Sequence, residues 1–287
     1  MARRHHLPRR RAPSGVNRMF CKKWGALCLM CFLGLLGMAS MCANAALVVT
    51  GTRIVFDQKT AQAVVPLNNQ GSSPMLVQMW LDTGQDRGPL EEVSVPFTIV
   101  PAVARIDPGQ QFAVRILQTD QGLAQDRETL FWFNALQVPP TAKDSDRLMQ
   151  FAFRTRMKFF YRPNALPMTP EEAHQRLRFR VDSAAPTAVD GALSVRVHNP
   201  SPYFLTFRSL DVRASAQSPA FASLRKAQER MVAPWSDAVL QLDLPTQAAD
   251  LPRRAMPEHV HIFFSVVNDH GGESSGERND VQGGGGQ

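Results

Sequence analysis

Short β-branched and apolar runs, separated by Gly, Pro and Asn, recur from Ala46 onward and constrain the fold more than any other feature. Such runs are typical of strands, because side chains alternate between the two faces of a sheet. A 3.6-residue period, which would indicate amphipathic helices, is absent from most of this region. The pattern predicts an all-β chain of sandwich type. The clearest candidate strands are residues 47–56, 61–67, 75–81, 97–100, 111–117 and 129–133, and, in a second block, 177–181, 193–198, 203–210, 238–242 and 259–267.

The first 45 residues have the features of a secretory signal peptide. A basic start with eight Lys and Arg residues and no acid is followed by an uncharged, mostly apolar stretch over residues 24–45. This stretch ends with Ala43-Asn44-Ala45, the small residues that a signal peptidase recognises. Met19 is a possible true start, since a leader from there has the usual length. The alternative is an uncleaved membrane anchor. The small residues before Ala46 favour cleavage, and we expect no stable membrane insertion.

Removing this leader changes the charge of the protein. The whole chain has 32 Lys and Arg against 25 Asp and Glu, a net charge of +7, but the part after residue 45 has 24 basic against 25 acidic residues. A nearly neutral chain gives no general electrostatic reason for nucleic-acid binding. All four cysteines lie in or beside the leader, so the exported part must be stabilised without disulfides.

The longest candidate strand covers residues 147–160. Alternation puts Met149, Phe151 and Phe153 on one face and a row of basic residues, ending at Lys158, on the other. Taken alone, this pattern also fits an ordinary sandwich strand that faces its own core.

Proline and glycine content suggests the domain boundaries. A proline-rich linker over residues 164–172 predicts a first domain at 46–165 and a second at 166–270. Residues 271–287 are rich in Gly, Ser and charge, so we expect a disordered tail there.

Seven motifs follow one another along the chain after the leader. They are Gly51-Thr-Arg-Ile-Val-Phe56, Pro74-Met-Leu-Val-Gln-Met-Trp80, Pro96-Phe97, Asp126-Arg-Glu-Thr-Leu-Phe-Trp-Phe-Asn134, Lys158-Phe-Phe-Tyr-Arg-Pro163, Asn199-Pro-Ser-Pro-Tyr203 and Val267-Asn-Asp-His-Gly-Gly272. Taken in this order, they resemble one family, the periplasmic pilus-assembly chaperones of the chaperone–usher pathway, in its short-loop branch. The resemblance implies two immunoglobulin-like β-sandwich domains set at an angle with a cleft between them. It also implies a periplasmic chaperone that binds, folds and caps pilus (fimbrial) subunits by donor-strand complementation and delivers them to an outer-membrane usher.

The resemblance assigns roles to two groups of residues. Met149, Phe151 and Phe153 match the donor-strand plug, whose apolar side chains enter a groove in the subunit. Arg53 and Lys158 match the anchor for the subunit's C-terminal carboxylate. An anchor is needed because a slip of one residue would turn every plug residue to the wrong face.

A third group and the partners also follow from the resemblance. Glu128, Arg162 and Asp269 match charged residues of the domain interface, where they would form an interdomain bridge. The implied partners are pilus subunits and an outer-membrane usher, with self-association possible when no subunit is present.

Other classes of function find little support. No nucleophile elbow, dinucleotide loop or Walker sequence is present, so we predict neither an enzyme nor a cofactor. His259 and His261 could share a strand face, but no third ligand has suitable spacing, and we predict no metal site. The remaining alternative is a secreted immunoglobulin-like pilus subunit or adhesin. A subunit would more often carry a disulfide and an N-terminal donor extension, whereas here Ala46 leads directly into the Gly51 motif.

Overall fold

The fold is all-β, as the sequence predicts, and its strands form two sandwiches with separate hydrophobic cores. No helix among the described residues has both the length and the apolar character needed to cross a membrane. The computed structural model describes residues 47–84, 95–120, 122–138, 151–182, 193–225, 230–244 and 257–282.

The first sandwich consists of two sheets. One has the strand order β1-β3-β7-β5, and the other has the order β2-β9-β8-β4-β6. Strands β2 and β9 run parallel, while the other pairs of the first sandwich are antiparallel. The strands are β1 Leu47–Val49, β2 Arg53–Asp57, β3 Gln62–Asn69, β4 Met75–Asp82, β5 Phe97–Val100, β6 Val103–Ile106, β7 Gln111–Gln118, β8 Thr129–Val138 and β9 Phe153–Arg162.

Aromatic side chains fill the centre of the first core. The ring of Phe97 lies 5.2 Å from that of Phe56, 5.3 Å from Phe131 and 5.0 Å from Phe159, each in an edge-to-face arrangement. These rings come from strands of both sheets, because alternation turns every second side chain inward. Edge-to-face pairs at such distances add to the free energy gained from apolar burial. The core therefore fixes β9 through Phe159, close to its C-terminal end.

The strands of the second sandwich form one continuous hydrogen-bonded sheet. Its strand order is β10-β11-β15-β13-β12-β16-β17, and β14 also pairs with β12. Strand β13 joins the two layers because it pairs with both β12 and β15. The strands are β10 Arg178–Asp182, β11 Leu193–Asn199, β12 Leu205–Arg213, β13 Ala220–Leu224, β14 Met231–Val232, β15 Ser236–Asp243, β16 His259–Val267 and β17 Glu273–Gln282.

The predicted linker between the sandwiches is structured. It contains the short helix α1, Pro170–Ala173, which a 3₁₀ turn, His174–Arg176, continues. Thr169 caps α1: its Oγ1 accepts from the backbone N of Glu172, and the Glu172 carboxylate accepts from the backbone N of Thr169. This reciprocal pair is a capping box. Leu166 and Met168 pack against the second core, so the chain joins the second sandwich before the helix begins.

The prediction of a disordered tail from Gly271 is wrong for β17, Glu273–Gln282, which pairs with β16 along its length. The polar sequence hides this strand because Val281 alone carries an apolar side chain into the core. Gly276 lies opposite Phe264, and a Cβ at that glycine would stand 2.4 Å from the Phe264 ring. The glycine is therefore a packing residue, where the sequence suggested flexibility.

Arg278 ties β17 to the start of the second sandwich. Its guanidinium donates to the carbonyls of Leu177, His174 and Gln175 at the end of the 3₁₀ turn. Carbonyls at a helix end lack a full set of partners within the helix, and Arg278 supplies donors to three of them. This side chain thus helps to hold a strand of low hydrophobicity against the second sandwich.

Candidate functional site

Arg53 and Lys158 are neighbours on adjacent strands. They are Cα partners in the parallel ladder between β2 and β9. The next pair, Ile54 and Phe159, is buried in the first core, so alternation puts both basic residues on the opposite face of the sheet. We call Arg53 and Lys158 the anchor pair. The structure thus brings together two residues that lie more than a hundred positions apart in sequence.

Arg53 reaches the second sandwich. Its Nη1 donates to the carbonyl of Val267 at 2.9 Å, and its guanidinium lies 5.7 Å from the centre of the Phe160 ring. The buried Nε has no hydrogen-bond acceptor within the described residues. Burial lowers the pKa of Arg53, while the charges of Asp269 and Glu128 oppose this shift. An arginine remains protonated at neutral pH despite such a shift.

Lys158 also contacts both sandwiches. Its Nζ lies 3.3 Å from Sδ of Met231 in β14, and 5.8 Å from the centre of the Trp132 ring in β8. The anchor pair therefore lies where the two sandwiches meet, with two positive charges on one side of that junction.

Arg162 is hydrogen-bonded to both Glu128 and Asp269, the two residues that the family resemblance groups with it. Arg162 Nε donates to Glu128 at 2.8 Å, and the two terminal nitrogens of Arg162 donate to the carboxylate of Asp269 at 2.6 and 2.9 Å. The Asp269 pair is bidentate, the strongest geometry for an arginine and a carboxylate. Arg162 and Glu128 belong to the first sandwich and Asp269 to the second, so this interdomain bridge crosses the junction.

Burial and neighbouring charges shift the pKa values of Glu128 and Arg162 in opposite directions. Burial raises the pKa of Glu128, and Arg162 together with the backbone N–H of Phe204 limits that rise. Burial lowers the pKa of Arg162, but Asp269 and Glu128 outweigh it and raise the value overall. Arg162 therefore stays charged and donates hydrogen bonds to both carboxylates.

The Asn199 motif builds a loop against Glu128, a role that the sequence motif alone did not suggest. Asn199 Nδ2 donates to the carbonyls of Tyr203 and Ala233, and its Oδ1 accepts from Ser201. In this loop the Pro202 carbonyl accepts from the backbone N of Glu128, while the N–H of Phe204, two residues later, donates to the Glu128 carboxylate. Backbone groups of the second sandwich thus hold Glu128 from both ends.

The N-terminal end of β9 leaves large apolar side chains in solvent. Strand β9 begins at Phe153, six residues later than the sequence indicated, and Phe151 stands just before it. Phe151 is 62% exposed and Phe153 is 64% exposed, and the centres of their rings are 6.5 Å apart. On the same face of the strand, Met157 and Phe159 are buried in the first core. Met149, the third predicted plug residue, lies outside the described residues.

The two histidines weighed as metal ligands have other partners. His259 Nδ1 lies 2.7 Å from Asp280 Oδ1, and His261 Nδ1 lies 2.9 Å from Asn279 Oδ1. Across the residues that the structure describes, no three His, Cys, Asp or Glu side chains are grouped as a metal site would require.

Comparisons with known proteins assign both parts of the chain to one family. The model described as pili and flagellar-assembly chaperone, PapD N-terminal domain, matches residues 46–167. The model described as pili assembly chaperone PapD, C-terminal domain, matches residues 172–278. Together the two matches span both sandwiches.

Individual proteins give the same result over most of their length. The chain is 36% identical over 253 residues to the probable fimbrial chaperone YadV of Escherichia coli (strain K12), covering 86% of this chain and 94% of the relative. It is 32% identical over 256 residues to the chaperone protein HifB of Haemophilus influenzae, covering 86% and 94%. The crystal structure of YadV superposes with a TM-score of 0.63, covering 82% of this chain and 99% of YadV. That of the Pseudomonas aeruginosa chaperone CupB2 superposes with a TM-score of 0.62 at 29% identity, covering 81% and 99%.

Proposed function

Because the chain belongs to the PapD family of pilus-assembly chaperones, we propose that it binds pilus subunits by donor-strand complementation through β9. The observation that carries this proposal is the exposure of Phe151 and Phe153 at one end of a strand whose other end carries Lys158 of the anchor pair. A strand that pairs with a subunit supplies affinity through its backbone and specificity through alternate side chains. The role needs no catalytic chemistry.

The plug acts through apolar burial. Phe151 and Phe153, with Met149 before them, enter a groove that the subunit cannot fill by itself. Each phenylalanine or methionine that becomes fully buried contributes about 1.5–3 kcal/mol. The subunit is thereby protected from aggregation through its unpaired strand edge.

The anchor pair fixes the register of this pairing by binding the C-terminal carboxylate of the subunit. Arg53 brings a buried Nε that has no acceptor among the described residues, and Lys158 brings a second positive charge on the neighbouring strand. A buried donor of this kind calls for a partner. Charge-assisted hydrogen bonds to a carboxylate are worth roughly 1.5–3 kcal/mol each. From Lys158 to Phe153 the strand rises about 17 Å, at about 3.3 Å per residue, which sets the distance between carboxylate and plug.

The interdomain bridge keeps the two sandwiches in the arrangement that this site requires. Arg162 joins a carboxylate of each sandwich, and Arg53 lies beside the same group. Buried charged networks specify geometry more than they add net stability.

The leader over residues 1–45 would export the chaperone, and we place its work in the periplasm, from which it delivers subunits to an outer-membrane usher. When no subunit is available, the exposed end of β9 can pair with a second copy of the chain.

Co-expression with a pilus subunit encoded beside its gene tests the proposal. We expect the subunit to be recovered in a soluble one-to-one complex with the wild-type protein. The Arg53→Ala and Lys158→Ala variants should remain folded and lose most of this recovery. Matched controls are Arg105→Ala and Lys59→Ala, which remove exposed basic side chains elsewhere in the first sandwich.

Two results would contradict the proposal. Normal recovery by both anchor variants would remove the carboxylate anchor. Finding the chain as a repeating component of the assembled fibre would identify it as a subunit and not a chaperone.

A further inference from the structure

Asp82 lies at the end of β4 and is almost completely buried, although it carries a charge. Its carboxylate accepts hydrogen bonds from Asn134 Nδ2 at 2.8 Å and from the backbone N of Gly84 at 2.8 Å. It also accepts from Arg154 Nη2 at 3.2 Å and from Arg156 Nη2 at 3.1 Å. The two arginines belong to β9, which is separated from β4 by β8. A single carboxylate thus connects three consecutive strands of the sheet.

The two arginines cross β8 by lying over aromatic rings. Arg154 is 5.1 Å from the centre of the Trp80 ring and also donates its Nε to Asn134 Oδ1 at 2.9 Å. Arg156 is 4.4 Å from the centre of the Trp132 ring. A guanidinium over an aromatic face gains a further cation–π attraction. We call Asp82, Asn134, Arg154, Arg156 and the two tryptophans the Asp82 network.

The place of this network along β9 suggests its use. Arg154 and Arg156 lie between Phe153 and Lys158 in β9. Because side chains alternate along a strand, both arginines are on the sheet face opposite Phe153. At that end of β9 the plug side chains are exposed, so they do not hold the strand against its own core. Burial in the core resumes only at Met157. Besides the backbone ladder with β8, the Asp82 network therefore supplies side-chain contacts that hold residues 153–156 on the sheet.

We propose that Asp82 is a positioning residue for subunit capture: it keeps the Phe153–Arg156 segment of β9 ordered on its sheet before a subunit arrives. This inference rests on the proposed function of β9. A strand already ordered in its bound conformation loses less conformational entropy on binding, so preorganisation increases affinity. The proposal also explains a buried acid at this position, since the charge is matched by donors from the strand that it holds.

The test measures amide hydrogen exchange by NMR in the subunit-free protein. Losing a charge-assisted hydrogen bond should shift the local opening equilibrium of the strand roughly tenfold. Because amide exchange follows that equilibrium, Asp82→Asn should speed exchange within Phe153–Arg156 by about tenfold or more. Exchange in β12 and β16 of the second sandwich should not change. The variant Arg154→Gln should show the same local effect, and it keeps Arg156 as a charged partner of Asp82 if Asp82→Asn folds poorly.

Asp107→Asn is the matched control. It removes an aspartate of the first sandwich that pairs with Arg105 at 3.1 Å on an exposed surface, and it should leave β9 unchanged. In co-expression, both network variants should recover less subunit than the control.

Unchanged exchange within Phe153–Arg156 would overturn the inference. Uniformly faster exchange across the first sandwich would make Asp82 a general stability residue and would also overturn it. Faster local exchange with undiminished subunit recovery would show that order in this segment does not limit capture. If the wild-type protein itself captured no subunit, the proposed function would fail while the exchange result still reported on the network.

Discussion

Glu128 shows how a single residue connects the two sandwiches. Its carboxylate is almost inaccessible and accepts from Arg162 in its own sandwich and from the backbone N of Phe204 in the other, while its backbone N donates to the Pro202 carbonyl. Burial raises the pKa of Glu128, and the charge of Arg162 limits that rise. The interface is therefore sensitive to loss of one charge.

Replacing Arg162 with alanine should destabilise the protein by about 3–5 kcal/mol, since a buried carboxylate would be left without its charged partner. The loss should depend on pH. Without Arg162 the pKa of Glu128 rises further above its unfolded value, so the folded state favours the protonated acid. Stability is then greatest below the unfolded pKa and falls as pH rises through the folded pKa. In urea unfolding, the free energy of unfolding of the variant should fall less far below that of wild type at about pH 5 than at about pH 7.5.

The double variant Arg162→Ala/Glu128→Gln is the control for this effect. It removes the titrating group, so its deficit relative to wild type should be nearly the same at both pH values. A deficit of Arg162→Ala that grew on acidification would contradict the assignment of Glu128 as the dependent partner.

At the scale of elements, β9 combines two environments along one face. Met157 and Phe159 fill the first core, while Phe151 and Phe153 continue the same face into solvent. The core-strand interpretation thus holds for one end of β9, and the donor-strand interpretation stays a prediction for its exposed end.

Changing Phe151 to glutamate should weaken subunit capture without affecting the fold. Losing the burial of one large apolar side chain, about 1.5–3 kcal/mol, lowers affinity by roughly tenfold to a hundredfold. Competition binding with a purified subunit would measure this change, and circular dichroism with thermal unfolding would check the fold. Val64→Glu, at an exposed apolar residue of β3, should bind like wild type. A large drop in the melting temperature of Phe151→Glu would instead assign the side chain to the chaperone's own core.

Strand β17 depends on a close contact that only glycine allows. The Cβ of an alanine at residue 276 would lie 2.4 Å from the Phe264 ring, so the ring or the strand must shift. Gly276→Ala should therefore destabilise the second sandwich by about 1–3 kcal/mol, the usual cost of overpacking. Chemical unfolding would measure it.

Gly122→Ala provides the comparison, because a Cβ there meets no atom closer than 3.7 Å. It should alter stability by less than about 0.5 kcal/mol. Equal stability of the two variants would mean that β17 is not packed against Phe264.

The sequence predicted most of the elements whose apolar residues alternate, although it missed the short strands β6, β13 and β14. It also failed for β17, where order comes largely from polar contacts. Strand β9 and the β blocks were visible because their own side chains carry the signal. Strand β17 was missed because its order depends on Gly276 fitting a ring and on Arg278 capping a distant turn. The Asp82 network was missed for a related reason: its members are on three strands, and only the sheet order brings them together.

At the scale of the whole molecule, the site depends on both sandwiches. The first sandwich carries the residues that we propose as plug and anchor, and the second contacts Arg53 through Val267 and Lys158 through Met231. The interdomain bridge joins the two beside Arg53. A subunit bound along β9 would therefore have its C-terminal carboxylate at the junction and its groove over the exposed end of the strand.

The structure of a one-to-one complex with a pilus subunit is the most direct test of this account. We expect the subunit's terminal carboxylate within hydrogen-bond distance of both Arg53 and Lys158. We also expect Phe151 and Phe153 to be buried in the subunit, with its last strand paired to β9. A complex in which the subunit contacts another surface, with both phenylalanines still exposed and the anchor pair unoccupied, would contradict the account.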